Sequence, residues 1–313
     1  MVVDISSLSG KIVGISHSSS INIMFNVLAA GVATVDIINT VTTYPSEDDE
    51  VRAISQSILR GGNATNTLVV LSQLGHRCSW AGTIADDTHA NIILQDLATY
   101  HIDISQSVKI SDSISPLSCI TLSEDSGKRS IIHYRELPEL SFENFKRIDL
   151  SNYDWIHFEG RNVEQTLLML QAVRQCKQSL PVSVEIEKHR ADIQCLYPFA
   201  DYLFYSRAFV EQSGFDDAPA FLMSTHKQFP DIEHYCAWGN HGAYAIDRQA
   251  DIFYAPAKSD SQVVDTIGAG DVFNAAIIDA KLNHYTFQAG LERACEVAGN
   301  KCSQYGFSGL GSR

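Results

Sequence analysis

A rhythm in the chain constrains its fold more than any other feature. Short apolar runs, bounded by glycine, proline or charge, alternate with stretches whose apolar residues recur at helical spacing. Residues 77–84 read as a strand and 88–100 as a helix, 155–159 as a strand and 164–176 as a helix, and 182–187 and 202–205 as further strands. Strands buried on both faces are apolar throughout, and parallel neighbours need a crossover helix. The pattern therefore predicts an α/β chain with a doubly wound, mostly parallel sheet flanked by helices. The run 21–33 suits the first buried strand, with Asp36 just past its end. Open sheets of this kind meet ligands at the carboxyl ends of their strands. Asp36 is thus a candidate contact, although a solvated loop residue would look the same.

The rhythm breaks twice. Around residues 37–42 and 51–59, β segments flank an acidic turn, Glu47-Asp48-Asp49-Glu50; at 118–122 and 129–134, two more flank Glu124-Asp125-Ser126-Gly127-Lys128, a hairpin signal. Segments of about 37–60 and 115–135 are expected to pair into a small second sheet. Between the two breaks, Arg60-Gly61-Gly62-Asn63-Ala64-Thr65-Asn66 runs into Leu68, Leu71 and Leu74 and closes at Gly75. That is a helix with one buried stripe and a C′ glycine. Asn63 and Asn66 share a face of its first turn. Two amides there can hydrogen-bond vicinal hydroxyls, while Asn63 could equally be a plain N-cap.

Three strand ends carry polar groups: Glu159-Gly160-Arg161-Asn162, Glu185-Ile186-Glu187-Lys188 and Trp238-Gly239-Asn240-His241-Gly242. Recurring at corresponding places in successive units, they point to one crevice. Near the C-terminus Gly268, Ala269 and Gly270 directly precede Asp271 and a helical apolar pattern. A glycine turn opening a helix presents unpaired N–H groups and the positive end of the helix dipole to an oligophosphate. A carboxylate in that turn repels phosphate unless it takes the proton from an attacking hydroxyl; otherwise Asp271 merely caps the helix.

With 313 residues, 45% apolar and 19% charged, the chain can bury the core of one large α/β domain. Its net charge of −14, without a basic run, argues against nucleic acid and anionic membranes as partners. Seven scattered cysteines without a Cys-x-x-Cys pair or zinc spacing suit free thiols in a reducing cytoplasm, with no dedicated protein metal site. The apolar stretch 21–41 follows only Lys11 and contains Asn22, Asn26 and Asp36, unlike a signal peptide or a membrane span. Residues 1–20 read as a leader before a single domain at 21–313.

Asp265-Thr266-Ile267-Gly268-Ala269-Gly270-Asp271-Val272-Phe273-Asn274-Ala275 resembles the C-terminal signature of the ribokinase-like (PfkB) family of carbohydrate and nucleoside kinases. Arg60-Gly61-Gly62-Asn63-Ala64-Thr65-Asn66 is similar to its N-terminal signature, in the same order along the chain. The segments Tyr44-Pro45-Ser46-Glu47-Asp48, Phe158-Glu159-Gly160-Arg161-Asn162, Val184-Glu185-Ile186-Glu187-Lys188 and Cys236-Ala237-Trp238 resemble, within that family, the kinases that phosphorylate the C1 hydroxyl of fructose. The resemblance implies a ribokinase-like fold with the small sheet as a lid, ATP and Mg2+ as cofactors, and a homodimer through the lid. A monovalent cation is left open.

By the same resemblance Asp271 is the base, with Gly268, Ala269 and Gly270 as an anion hole. Sugar contacts fall on Asp36, Asp48, Gly62, Asn63, Asn66 and Asp271, with Asp48 reaching the partner's site. Nucleotide contacts fall on Arg129, Trp238, the Gly239, Asn240 and Gly242 turn, Gly268 and Gly270, with Lys188 and Asn274 near the phosphates. Gly239-Asn240-His241 departs from the acidic pair expected there. Ribose, a 2-keto-3-deoxy sugar acid or a nucleoside are the rival acceptors within the family, and Asp36 and Asp48 would repel the acid. A catalytically silent sugar binder is another rival. A dinucleotide-dependent dehydrogenase is disfavoured because no Gly-x-Gly-x-x-Gly follows the first strand.

Overall fold

The computed structural model describes residues 23–258 and 263–311; the leader expected over 1–20 lies outside them. Eight strands form the main sheet, in the order β14 (Ile252–Ala255), β13 (Ala243–Ile246), β12 (Glu233–Ala237), β11 (Tyr202–Ser206), β10 (Val182–Ile186), β9 (Trp155–Glu159), β1 (Asn26–Ala30), β4 (Arg77–Ala81). From β4 to β12 every pairing is parallel, and only the β12–β13 and β13–β14 pairings are antiparallel, so that β13 alone runs against the rest. Successive residues of a strand face opposite sides, and here both sides are covered. Val27 and Ala29 join a core with Leu68, Leu71, Val272 and Leu291, under α1 (Asn63–Gln73), α2 (Thr88–Thr99), α7 (Ala269–Leu282) and α8 (Phe287–Cys302). Leu28 and Ala30 join another with Phe145, Leu170, Val210 and Leu222, under α3 (Phe142–Phe145), α4 (Val163–Cys176), α5 (Arg207–Gln212) and α6 (Ala218–His226). This is the doubly wound arrangement that the rhythm predicts.

A second sheet of four strands has the order β3 (Ser55–Gly61), β2 (Thr34–Val41), β7 (Leu117–Ser123), β8 (Arg129–Tyr134). The expected hairpin is β7–β8, and β2 pairs antiparallel with β3 but parallel with β7. A short pair, β5 (Thr83–Ala85) with β6 (Val108–Ile110), completes the strands.

Two expectations change. The run 21–33 is not one strand: β1 ends at Ala30, and Asp36 lies inside β2 rather than in a loop after β1. The chain leaves the main sheet at Gly31, where a Cβ would stand 2.4 Å from Glu159 Oε1, and enters the second sheet through the β-branched residues Thr34, Val35, Ile37 and Ile38. The strand expected over 77–84 divides at Gly82, where a Cβ would meet the Trp80 ring at 2.2 Å.

Candidate active site

Two long helices, α1 and α7, begin at the carboxyl edge of the main sheet, and their first turns face each other. The N-cap of α1 is Gly62, with φ 109°, rather than Asn63. A Cβ at Gly62 would lie 2.1 Å from the Val32 carbonyl oxygen, so only glycine fits this approach. Asn63 is thereby released from capping, and its Nδ2 donates to Glu185 Oε2 at 3.0 Å and Glu187 Oε2 at 3.4 Å. One turn on, Asn66 is buried and bonded on both sides. Its Oδ1 accepts from Arg60 Nη1 at 2.7 Å, and its Nδ2 donates to Asp271 Oδ2 at 2.6 Å.

Gly268, with φ 78°, is the N-cap of α7 and makes no side-chain cap. Asp271 is buried in the first turn, and its carboxylate bonds Asn66 of the opposite helix rather than an amide of its own. The capping alternative therefore does not hold. A Cβ at Gly268 would be 2.4 Å from the Phe307 ring, which closes one side of the turn, whereas a Cβ at Gly270 would meet nothing within 4 Å. Open space thus borders the helix start at Gly270. One turn into α7, the buried Asn274 donates to Glu185 Oε1 at 3.1 Å.

Carboxylates crowd this edge because β9 and β10 end beside one another with Glu159 paired to Glu185. Glu159 Oε1 accepts from the amides of Ala64 at 2.8 Å and Val32 at 3.1 Å, tying α1 to the sheet. Burial, followed by the charges of Glu187 and Glu159, holds Asp271 well above the ordinary carboxylate range, against the Asn66 hydrogen bond and the Arg60 charge. Glu185 is also held well above it by burial, then by Asp271, Glu187 and Glu159, while Asn63 opposes the shift. Asp36 is raised by burial, with a Ser118 hydrogen bond and Arg60 acting the other way. Its Oδ1 has no hydrogen-bond partner among the described residues, and a Cβ on Gly61 would touch its Oδ2 at 2.1 Å. Asp36, Gly62, Asn63, Asn66 and Asp271 thus gather at one edge: side-chain amides and hydrogen-bond acceptors around a buried carboxylate.

The remaining candidates spread outward. Arg129, at the start of β8, donates from Nη1 to Thr266 Oγ1 at 2.7 Å and so links the small sheet to the glycine turn. Lys188 is exposed and lies 3.3 Å from Glu187. Gly239, Asn240 and Gly242 form the turn after β12, two strands beyond β10 at the same edge, with Gly239 and Asn240 exposed. Trp238 is buried beneath the Arg207 guanidinium, 5.1 Å from its ring centroid, and its amide donates to the Gly242 carbonyl. It packs in the core of its layer. Asp48 is exposed in the 42–54 loop with φ 66°, and it forms no hydrogen bond or ion pair within the described residues. Of the expected sugar contacts it is the one this chain does not bring to the site.

Sequence reasoning passed over three members of the site. Arg60 stood next to the glycine pair without a role, although it holds Asn66, Thr65 and Asp96. Glu185 was visible as a strand-end acid, the same signal that Glu159 carried. Phe307 had no local signal at all, because its importance comes only from lying against Gly268.

Fold and site together define a class, a doubly wound α/β kinase whose paired asparagines and carboxylates face a glycine-opened helix across the sheet edge. The chain belongs to the pfkB family of carbohydrate kinases, whose model matches residues 24–310. It is 37% identical to the ketohexokinase of Mus musculus over 292 residues, 91% of this chain and 98% of that protein. It is 25% identical to the fructosamine kinase FrlD of Bacillus subtilis, over 80% of this chain and 86% of that protein. The fold matches ribokinase of Arabidopsis thaliana, solved with ribose and ATP, at a TM-score of 0.75 and 18% identity, covering 91% of this chain and 94% of that one. The protein is a sugar kinase, and the dehydrogenase and silent-binder readings give way. Among the described residues no helix is long and apolar enough to cross a membrane.

Proposed function

We propose that this kinase transfers the γ-phosphoryl group of ATP to a primary hydroxyl of a ketohexose such as fructose. The observation that carries the reading is Asp271, a buried carboxylate held basic, hydrogen-bonded across the site to Asn66 and set beside the open glycine turn. Similarity to ketohexokinase favours the ketohexose. Asp271 accepts the proton of the hydroxyl as it attacks, and Asn66 keeps the carboxylate aimed. The amides of Gly268, Ala269 and Gly270 receive the charge that builds on the phosphoryl oxygens. Asp36, Asn63 and Asn66 orient the sugar through its hydroxyls, and Asp36 disfavours an acidic acceptor.

Arg129, Lys188, Asn274 and the turn carrying Gly239, Asn240 and Gly242 border the nucleotide, while Trp238 supports that turn from within the core. Mg2+ supplies charge neutralisation to such a transfer. No group of three or more His, Cys, Asp or Glu among the described residues is arranged as a metal cage. That suits an ion held mainly by phosphate oxygens and water. A dependence on a monovalent cation is left to assay.

The working form is a homodimer through the small sheet. All six residues of β8 are exposed, and by the strand register the exposed Ile58, Ile132 and Tyr134 share one face of the sheet. Such a face is normally covered. Across a two-fold axis the 42–54 loop would carry Asp48 to the partner's sugar. The seven free cysteines suit a reducing cytoplasm. A coupled assay of ADP release against a panel of ketohexoses, ribose, a 2-keto-3-deoxy sugar acid and nucleosides is expected to favour fructose. Preference for a nucleoside or ribose would replace the proposed acceptor.

A further inference from the structure

Lys301, near the end of α8, is completely buried, which lysines rarely are. Its three N–H donors all find oxygen: Asp265 Oδ2 at 2.7 Å, the Asp265 carbonyl at 3.1 Å and the Gln304 carbonyl at 3.4 Å. An ion pair taken out of water adds little net stability over apolar packing, so burial of this one calls for another explanation.

The contacts of that ammonium run toward both halves of the site. The other oxygen of the same carboxylate, Asp265 Oδ1, accepts the Ile267 amide at 2.9 Å, inside the turn that leads to Gly268. The amides of Val264 and Asp265 are also strapped to the Cys302 carbonyl, at 2.7 and 3.2 Å. In the other direction Lys301 Nζ lies 5.5 Å from the centroid of the Phe307 ring, and the Arg60 guanidinium lies 5.8 Å from the same centroid. Phe307 closes against Gly268, and Arg60 holds the Asn66 that bonds Asp271. One buried cation therefore braces the backbone that carries the glycine turn and the ring against which that turn rests.

We infer that Lys301 is a positioning residue for phosphoryl transfer, an internal cation that fixes the turn from Asp265 to Gly268 so that the amides of Gly268, Ala269 and Gly270 are preset toward the transferring group. The inference rests on the proposed function for its chemistry but not for its geometry. Glycine turns are intrinsically free, and a donor displaced by about 1 Å can lower turnover by about 10²-fold.

The test is Lys301→Met, which keeps the stem and removes the charge. Amide hydrogen exchange of residues 267–271 is expected to quicken by roughly 10-fold or more while β1, β9 and β10 stay protected. Turnover on fructose should fall by about 10²-fold with KM for fructose changed less than about two-fold, the mark of a contact made in the transition state. In Lys301→Ala, added ammonium ion should restore part of the turnover. Unchanged exchange in the turn overturns the inference, as does a loss of protection spread across the whole core with a matching fall in Tm, which would mark a lysine that only supports the fold. If Lys301→Met does not fold, Asp265→Asn breaks the same ion pair and is read by the same exchange measurement. Wild-type protein inactive on fructose would refute the proposed acceptor, and the exchange result would still decide the role of Lys301.

Discussion

The two sheets of this molecule solve opposite problems. The main sheet is covered by helices on both faces, and its central strands β9 and β10 are buried at every residue. The small sheet is left bare over much of its extent: every residue of β8 is exposed, Ile132 at 76%. Burial on both sides lets the main sheet hold Asp271 and Glu185 at its edge with raised proton affinities, because there the dielectric is low and positions are rigid. An exposed apolar face can do no such chemistry. In the proposed dimer its use is association, by which the loop between β2 and β3 would bring Asp48 to the partner's site.

The largest effect expected from this contrast is at Asp271. Asp271→Asn keeps the shape and the contact with Asn66 but loses the base, so turnover should drop by roughly 10²- to 10⁴-fold with Tm little changed. Because Asp271 is held above the ordinary carboxylate range, kcat/KM should fall on the acid side with an apparent pKa above that of an ordinary carboxylate. That limb should vanish in the residual activity of Asp271→Asn. A steady-state pH profile of both proteins checks this, and near-normal turnover of the variant would end the proposed mechanism.

A smaller effect probes the bare sheet. Ile132→Asp should convert a dimer to monomers in sedimentation and lower turnover by roughly 10-fold, while the main sheet keeps its amide protection. If Asp48 serves the partner, Asp48→Ala and Asp271→Asn proteins, each nearly inactive, should regain roughly a quarter of wild-type activity when refolded together. Half of the dimers would be mixed, each with one complete site of two. Activity that stays at the level of the separate proteins would return Asp48 to a solvated acidic loop.

The smallest effect concerns acid stability and sharpens the contrast from the other side. Burial lowers the pKa of His157 to about 3 and that of His234 to about 4, both in strands of the main sheet. Their folded values lie below the ordinary 6.5, so the unfolded chain takes up protons first. Stability is whole above about pH 6.5 and declines as pH falls toward those values. Each would contribute up to about 2 kcal/mol of loss at pH 5, a few degrees in Tm. Asp271 and Glu185 act oppositely, since a raised carboxylate favours the folded state as pH falls through the window above its ordinary pKa. The comparison is therefore made between wild type and His157→Gln, whose melting temperature should depend less steeply on pH between 7.5 and 5. Equal slopes would refute the account.

Much of this architecture could be read without coordinates. The bounds of β8 and β9 agree with the expected segments residue for residue, and those of α2, α4, β10 and β11 differ by one residue, because periodicity and punctuation are local properties of the backbone. The glycine turn before Asp271 and the shared face of Asn63 and Asn66 were equally visible, each being encoded within one turn of helix. Asp36 was placed on the wrong side of a strand boundary, since the departure from the main sheet at Gly31 depends on Glu159 filling the space where a side chain would be.

What only the tertiary structure decided is which of these groups meet. Asn66 and Asp271 are 205 residues apart in sequence and 2.6 Å apart in space. Arg60, Glu185, Phe307 and Lys301 acquire their roles solely from neighbours that the crossovers bring in. Elements follow from the chemistry of a few consecutive residues. The site follows from how two helices and two strands end at one edge, and that juxtaposition is stabilised by burial summed over the whole sheet, a quantity no local stretch of sequence contains.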